Sequence, residues 1–200
     1  MIRKCFGWGT TIAVMAFIGS LGSSMPVHGL NGQEGIPPEK VADFIHSVIN
    51  ADRTLYTTHV IQRMNESGKV QAAEAWQKKT ALPLPAQMLA LSGLRVKGER
   101  NGLQYRLASL WPIYEKNRPT TEFERTGLES VAGDPDRPYT GIITKEDGRY
   151  FTAIYADKAI SPACVECHNK HALSPKRNYK LNNVMGGVII SFPLRKIDKN

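Results

Sequence analysis

The ten residues PACVECHNKH, at positions 162–171, impose the strongest chemical constraint on this chain. They place Cys164, Cys167, His168 and His171 within eight positions, and they hold two of the three cysteines and two of the five histidines in 200 residues. The fold has to present all four side chains from one short stretch of backbone. Their spacing therefore indicates which chemistry they serve.

Two of the chemistries open to these side chains fit the spacing poorly. A structural zinc site takes its ligand pairs from two segments separated by a dozen or more residues, whereas adjacent Cys167 and His168 do not converge easily on one small ion. A redox-active C-x-x-C pair begins a helix in a parallel βαβ unit. Here the strands have antiparallel patterning and Pro175 interrupts the following helix, so both alternatives are disfavoured.

The third chemistry, C-x-x-C-H, is the attachment signature of c-type haem. The two thiols add to the two vinyl groups on one edge of the porphyrin, and the next residue is carried beneath the iron as its proximal ligand. This explains why His168 directly follows Cys167, which neither alternative does. The sequence predicts one covalent haem c on Cys164 and Cys167, with His168 as the proximal iron ligand.

The N-terminus predicts export to the periplasm. Arg3 and Lys4 precede an apolar stretch at residues 6–21 and then small residues, which is the order of a secretory signal peptide. Cleavage is expected after Gly29, which would also remove Cys5. An uncleaved anchor is the alternative, because the apolar stretch is near the shortest length that spans a bilayer. The expected domains are a signal peptide at residues 1–29 and a single PAS-like c-type haem domain at residues 30–200.

The first half of the mature chain has helical periodicity. Residues 39–67 predict one long helix that ends at Gly68, and residues 69–81 and 86–98 predict two more. One face of the long helix is expected to pack on the core. Its members are Val41, Ile45, Val48, Leu55 and Tyr56.

The pattern changes to strands after Gly102. A strand is predicted at residues 103–110, a hairpin with Asp147-Gly148 at its turn at residues 140–156, and a late apolar strand at residues 184–194. A helix that begins with a Thr121–Glu124 capping box separates the first strand from the hairpin. The expected class is α+β, an antiparallel sheet interrupted by one helix, in a domain of one or two layers.

Several segments resemble the single-haem c-type proteins that have a PAS-like fold. The segments are LPLPAQ, SLWPIYEKNRPTTEFE, YFTAIYADKAISPACVECHNKHALSPK and KLNNVMGGVIISFPL. The resemblance covers nearly all of residues 39–194. It implies an antiparallel PAS-like sheet packed by N-terminal helices, with covalent haem between sheet and helix. The family includes small exported proteins and sensor ectodomains, and the roles proposed for it are redox or gas sensing and electron transfer.

The resemblance also implies that the long helix supplies the distal iron ligand. His59 follows Val41 by 18 residues, or five helical turns, so it is expected on the buried face. We therefore assign His59 as the distal ligand, with Met88 as the runner-up, and with Met64 or an open site as further alternatives. His46 projects away from the apolar stripe and is expected to be solvated.

Charged residues near the motif suggest contacts to the haem propionates, for which Lys176, Arg177 and His171 are the candidates. The formal net charge is +8, from 26 Lys and Arg against 18 Asp and Glu, and this favours an acidic redox partner or an anionic cofactor. No run of basic residues interleaved with aromatics is present, so nucleic acid is not an expected partner. Membrane contact is expected only if the leader is uncleaved.

The expected function is one-electron transfer, or redox or gas sensing, by an exported mono-haem c-type protein with His/His ligation. One alternative is a PAS-type ligand-binding module in which haem is structural. A second alternative is a gas-binding or peroxidase-like protein with an open distal site. No Arg/His pair in a recognisable peroxidase arrangement is visible, so an enzyme is not expected.

Overall fold

The computed structural model describes residues 35–194, in which a long N-terminal helix comes first. This helix begins as α1 (Pro38–Leu55), continues through a π-helical segment (Tyr56–Gln62) and ends as α2 (Arg63–Ser67). Gly68 terminates it with a φ of 67°, a left-handed conformation that favours glycine. The helix predicted over residues 39–67 is confirmed in its extent. The expected signal peptide and its cleavage site lie outside the described residues.

The second predicted helix, at residues 69–81, is wrong. This segment is a loop with one 3₁₀ turn at Trp76–Lys78. Its backbone is held by an isolated parallel bridge, in which Leu82 N donates to Gln71 O and Ala73 N donates to Leu82 O. These contacts satisfy backbone groups that a helix would have paired internally. The third predicted helix is present as α3 (Pro85–Gly98).

Four antiparallel strands form one sheet. They are β1 (Gln104–Ala108), β2 (Tyr139–Lys145), β3 (Gly148–Lys158) and β4 (Val184–Pro193), in the spatial order β1-β4-β3-β2. β2 and β3 make the predicted hairpin. Lys145 pairs with Gly148, so the turn is Glu146-Asp147, one residue earlier than the predicted Asp147-Gly148. The strand predictions and the antiparallel pairing are confirmed, and so is the α+β class.

Helices cover both faces of the sheet. α1 and α3 pack on one face, against Phe151, Ala153 and Tyr155 of β3. α4 (Glu122–Gly133) packs on the other face, where Leu128 and Val131 contact the sheet. The expectation of one or two layers is therefore wrong, because side chains alternate across each strand and both sets are apolar here. Thr121 caps α4 as predicted, its hydroxyl accepting a hydrogen bond from Glu124 N.

The helix that carries the cysteine motif lies at one end of this sheet. α5 (Pro162–Lys170) follows β3, and its Cys164 and Val165 pack against a small cluster of Ala159, Tyr179 and Met185. Within residues 35–194, no helix combines the length and the apolar character needed to cross a membrane.

Candidate haem-binding site

Both motif cysteines project from the same short helix. Buried Ser161 precedes α5 and Pro162 occupies its first turn, a position that proline favours because its missing N–H needs no partner there. Cys164 and Cys167 are one turn apart, half-buried and free. Residues separated by three positions share a helix face, so the two thiols are presented together.

The Cys167 thiol lacks the character of a redox nucleophile. Burial raises its pKa above the usual value, and the nearby negative charge of Glu74 raises it further. Reactive cysteines of dithiol oxidoreductases instead have depressed pKa values, created by cations or by helix N-termini. The environment of Cys167 therefore disfavours the redox-dithiol alternative, and it suits a thiol whose role is attachment.

His168 presents a neutral imidazole next to these thiols. Burial is the main cause that lowers its pKa. The Asp157 carboxylate opposes this effect, and the charges of His171 and Arg53 lower the pKa further. Within residues 35–194, its Nδ1 atom is one of the buried side-chain atoms without a hydrogen-bond partner. The ring meets the Tyr179 ring edge-on, with centroids 5.7 Å apart. A neutral imidazole is the form that binds a haem iron.

These residues fit a haem better than a bare metal ion. Across residues 35–194, no group of three or more His, Cys, Asp or Glu side chains is arranged to hold a metal ion. Haem needs fewer protein groups, since two thiols and one imidazole attach it on one side. Cys164, Cys167 and His168 supply that set from a single helix, beside the apolar cluster of Ala159 and Met185.

The loop after α5 is held by residues that the sequence suggested for the propionates. Arg177 donates to the carbonyl oxygens of Ser174 and Ala172 at 3.3 and 2.9 Å. Lys176 Nζ lies 3.9 Å from the centroid of the Trp111 ring, a cation–π contact. Both cations are thus engaged by the protein itself.

His171 is engaged as well. Its Nε2 lies 3.1 Å from Glu74 Oε1, and its Nδ1 accepts a hydrogen bond from the backbone N–H of Leu173. Glu74 also accepts a hydrogen bond from Tyr114 at 2.7 Å. These contacts join the loop at residues 69–84 to α5. Asn169 completes the arrangement by pairing with the backbone N and O of Tyr179.

The structure places His59 differently from the expectation. His59 lies in the π-helical segment and its side chain is exposed, while Thr57 and Ile61 are the buried residues of that segment. The five-turn projection from Val41 is wrong because the core-facing side of α1 is formed by Ala42, Ile45 and Ile49, and is turned away from the predicted face before the π-helical segment begins. Val48 and Leu55 are also exposed, contrary to the predicted face.

The other ligand candidates lie elsewhere. Met88 is 43% exposed and lines an apolar groove of about 540 Å³ between α1 and α3, which includes neither Cys164, Cys167 nor His168. The expectation that His46 is solvated is wrong, because its ring is half-buried and stacks on Tyr155. Gly186 and Gly187 accompany a β-bulge, and their missing side chains leave room for the Ala108 carbonyl and for Leu128.

An ion pair near the motif was missed by the sequence analysis. Arg53 of α1 binds Asp157 of β3 through both terminal guanidinium nitrogens, with Nη2 3.2 Å from Oδ2. The side chains are only 11% and 9% exposed. The detectable signal was a charge on an apolar face, because Arg53 follows Ile45 and Ile49 at helical spacing. Asp157 had no such signal, since it is 104 residues away.

Comparison with known proteins identifies the family. Comparison with curated proteins gives no match. Among solved structures, the crystal structure of the cyanobacterial haem protein Tll0287 is similar, with a TM-score of 0.46 and 12% identity; the match covers 80% of this chain and 99% of that chain. The model of the Tll0287-like family matches residues 38–193, which is most of the sequence. The chain therefore belongs to the Tll0287-like family.

Proposed function

We propose that this protein carries one covalent haem c on α5, with Cys164 and Cys167 as the attachment residues and His168 as the proximal iron ligand. The single observation that carries this proposal is the presentation of two free, half-buried thiols and a neutral imidazole from one short helix. Family membership supports it, because the protein for which the family is named is a haem protein.

The haem would supply one-electron chemistry, and the chain's own residues would hold it and shield it. The two thiols fix the porphyrin edge, while Asn169 and Tyr179 brace the helix that carries them. The role proposed is electron transfer or redox or gas sensing in the periplasm, with a redox partner that is acidic. Without the predicted leader, which carries Arg3 and Lys4, the net charge is 24 − 18 = +6, and this basic charge supports the choice of partner.

His59 is proposed as the distal ligand, although it does not lie on the buried helix face where its spacing from Val41 placed it. It belongs to a π-helical segment, and such segments occur frequently at functional sites. Its Nδ1 lies 3.5 Å from the Thr58 hydroxyl, a long hydrogen bond whose loss would cost little if the ring rotated. Met88 remains the runner-up. The antiparallel sheet with helices on its faces is consistent with the PAS-like arrangement proposed for this family.

One observation favours a second function. The groove between α1 and α3 has a volume within the range of small-molecule sites and mainly apolar walls. In a PAS-type binding module, this groove would hold the ligand and the haem would be structural. An enzyme is not proposed, since a peroxidase-like activity would require an open distal site.

The test is maturation of the full chain in a host that attaches c-type haem. We expect denatured protein to retain its haem and to give a c-type pyridine spectrum. Cys164→Ala and Cys167→Ala should each impair attachment, and Cys5→Ala, whose cysteine lies in the predicted leader, should not. Complete loss of haem to acid acetone from the unmodified chain would refute the proposal.

A second measurement separates an iron with two protein ligands from an iron with an open distal site. Reduced protein with two axial ligands should bind carbon monoxide slowly or not at all, whereas an open site should bind it rapidly. Slow binding supports electron transfer or redox sensing. Rapid binding with unchanged haem content would support a gas-binding role.

A further inference from the structure

The positive charge of this chain is concentrated in one loop. Without the predicted leader, the chain has 24 Lys and Arg against 18 Asp and Glu, a net charge of +6. The loop that joins α5 to β4, residues 171–183, contains Lys176, Arg177 and Lys180 and no Asp or Glu. These 13 residues therefore carry a charge of +3, which is half of that net charge. We call this segment the cationic loop.

Carboxylates do not neutralise these three charges within residues 35–194. Lys176 Nζ lies over the Trp111 ring, and Arg177 donates to two backbone carbonyl oxygens. These neutral partners hold the two cations in place and leave their charge uncompensated. Lys180 is exposed, and its ammonium group makes no hydrogen bond or ion pair among the described residues. The cationic loop therefore presents its full charge to a partner.

The cationic loop is held against the helix that carries the cysteine motif. Tyr179 is 3% exposed and packs in one cluster with Cys164. Asn169 of α5 donates to the Tyr179 carbonyl oxygen and accepts from its N–H, at 3.0 and 2.9 Å. Within the loop, the Ser174 hydroxyl donates to the Lys176 carbonyl oxygen at 2.7 Å. A partner would thus meet a preformed surface beside Cys164, and this lowers the cost of ordering the loop on binding.

Apolar side chains accompany these charges. Leu173 and Leu181 are 60% and 51% exposed, whereas the Tyr179 ring is buried. Exposed leucines among cations fit a protein interface, which combines apolar contacts with a polar rim. Single-stranded nucleic acid would need exposed aromatic rings for stacking, and a small anion would leave the leucines without a partner. Complexes of redox proteins bury less than about 1,200 Å² in total, so one loop and its flanking helix can supply one side.

We propose that the cationic loop is the docking surface for an acidic redox protein, and that electrons pass between this partner and the haem edge attached to Cys164. The inference rests on the proposed function, because the haem has to be attached to α5. Opposite charges on two proteins steer their encounter and raise the association rate. A partner that docks on this loop lies beside the porphyrin edge, and electron transfer requires such closeness.

The experiment measures reduction of the ferric holoprotein by stopped flow without oxygen. The acidic probe is a reduced plant-type ferredoxin, whose [2Fe–2S] cluster loses one electron while the haem iron is reduced from ferric to ferrous. No proton is transferred and no bond is formed or broken. The second reductant is the methyl viologen radical cation, which also donates one electron but carries a positive charge.

Lys180→Glu reverses one charge of the cationic loop without removing a contact of the side chain. At about 10 mM ionic strength, its second-order rate constant with ferredoxin should fall about 10-fold, because charges are weakly screened there. The difference should vanish at about 1 M salt, where the Debye length is about 3 Å. The rate with methyl viologen should not fall. Lys180→Gln should lie between the wild type and Lys180→Glu.

The matched control is Lys97→Glu, which makes the same change in net charge at an exposed position of α3. Its rate with ferredoxin should change by less than about 2-fold, because it lies outside the docking surface. Haem content and optical spectra are compared first, so that each variant is shown to carry an intact haem.

The outcomes separate this inference from the proposed function. Equal rates for the wild type and Lys180→Glu, or equal losses in Lys180→Glu and Lys97→Glu, overturn the cationic loop as the docking surface. A parallel fall with methyl viologen also overturns it, because the substitution would then have altered the haem and not the encounter. Absence of covalent haem from the wild type overturns the proposed function itself. A salt-dependent loss that is specific to ferredoxin and to Lys180 supports the inference.

Discussion

The imidazole of His46 lies flat on the phenol ring of Tyr155, with ring centroids 3.9 Å apart and planes 5° from parallel. The Tyr155 hydroxyl also donates to Asp43 Oδ1 at 2.9 Å, so one side chain of β3 is held by two residues of α1. Burial and the Asp43 carboxylate both raise the pKa of Tyr155, which keeps the hydroxyl protonated as a donor. This contact positions the long helix that leads into the π-helical segment.

Tyr155→Phe should lower the free energy of unfolding by about 1 kcal/mol, because it removes one hydrogen bond to a carboxylate that is partly open to solvent. The stack with His46 is retained. Urea unfolding at pH 7.5 measures the change. The matched control is Tyr139→Phe, since no hydrogen bond of the Tyr139 hydroxyl is found within residues 35–194. Equal effects of the two variants would contradict the assigned role of the Asp43 contact.

His46 should make stability depend on pH. Burial lowers its pKa below the usual 6.5, and the Asp43 carboxylate offsets part of this effect. The folded protein therefore binds fewer protons at this site than the unfolded chain, so the stabilisation is complete above about pH 6.5 and is lost as pH falls. His46 lies in a small surface pocket that is also lined by Asp136 and Tyr155.

The measurement is urea unfolding of the haem-free chain at pH 7.5 and pH 5. We expect His46→Phe, which keeps a ring on Tyr155, to lose less stability between these pH values than the wild type. Part of the pH dependence of stability should persist in His46→Phe, because burial also lowers the pKa of His168. The exposed His59 provides the control, and His59→Gln should behave like the wild type. An unchanged pH dependence in His46→Phe would refute this explanation.

Local signals explain which parts of the fold were predictable. Proline at the start of α1 and Gly68 at its end are chemical boundaries, so the long helix was found. The alternation of apolar residues along the strands and the existence of the hairpin likewise depend on residues close together in sequence, so both were predictable. The loop at residues 69–81 has helical composition but is held by a bridge to Leu82, which is a tertiary contact without a sequence pattern.

In the candidate site, too, features set by local sequence were predictable and features set by tertiary contacts were not. The C-x-x-C-H spacing is dictated by haem itself, so Cys164 and Cys167 were recognised without any knowledge of the fold. The long helix carries apolar residues on two sides, and His59 was mispredicted because the side that packs on the core is that of Ala42, Ile45 and Ile49. Arg53 and Asp157 meet only because α1 packs on β3, and nothing near either residue specifies its partner.

Gly93 should be intolerant of a side chain. A Cβ at this buried position of α3 would lie 2.5 Å from the carbonyl oxygen of Tyr105 in β1, and backbone cannot easily give way. Gly93→Ala is expected to destabilise the protein by about 1–3 kcal/mol, as overpacking does. Gly98 of the same helix has no neighbour within 4 Å. Gly98→Ala should be neutral or stabilising by up to about 1 kcal/mol, and chemical denaturation compares the two.

The distal ligand is the last assignment to test, by optical and magnetic spectra of the holoprotein. If His59 binds the iron opposite His168, the wild type should be low-spin in both oxidation states. His59→Ala should then give a high-spin spectrum and rapid carbon monoxide binding, because the vacated position opens to water or gas.

Met88→Ala is the matched comparison, because Met88 is the other candidate and lies in the groove between α1 and α3. It should leave the spectrum unchanged if His59 is the ligand. The opposite pattern, with an unchanged His59→Ala spectrum and a high-spin Met88→Ala spectrum, would assign the position to Met88. It would also require the groove to lie against the haem, since a thioether cannot bind iron from a distance.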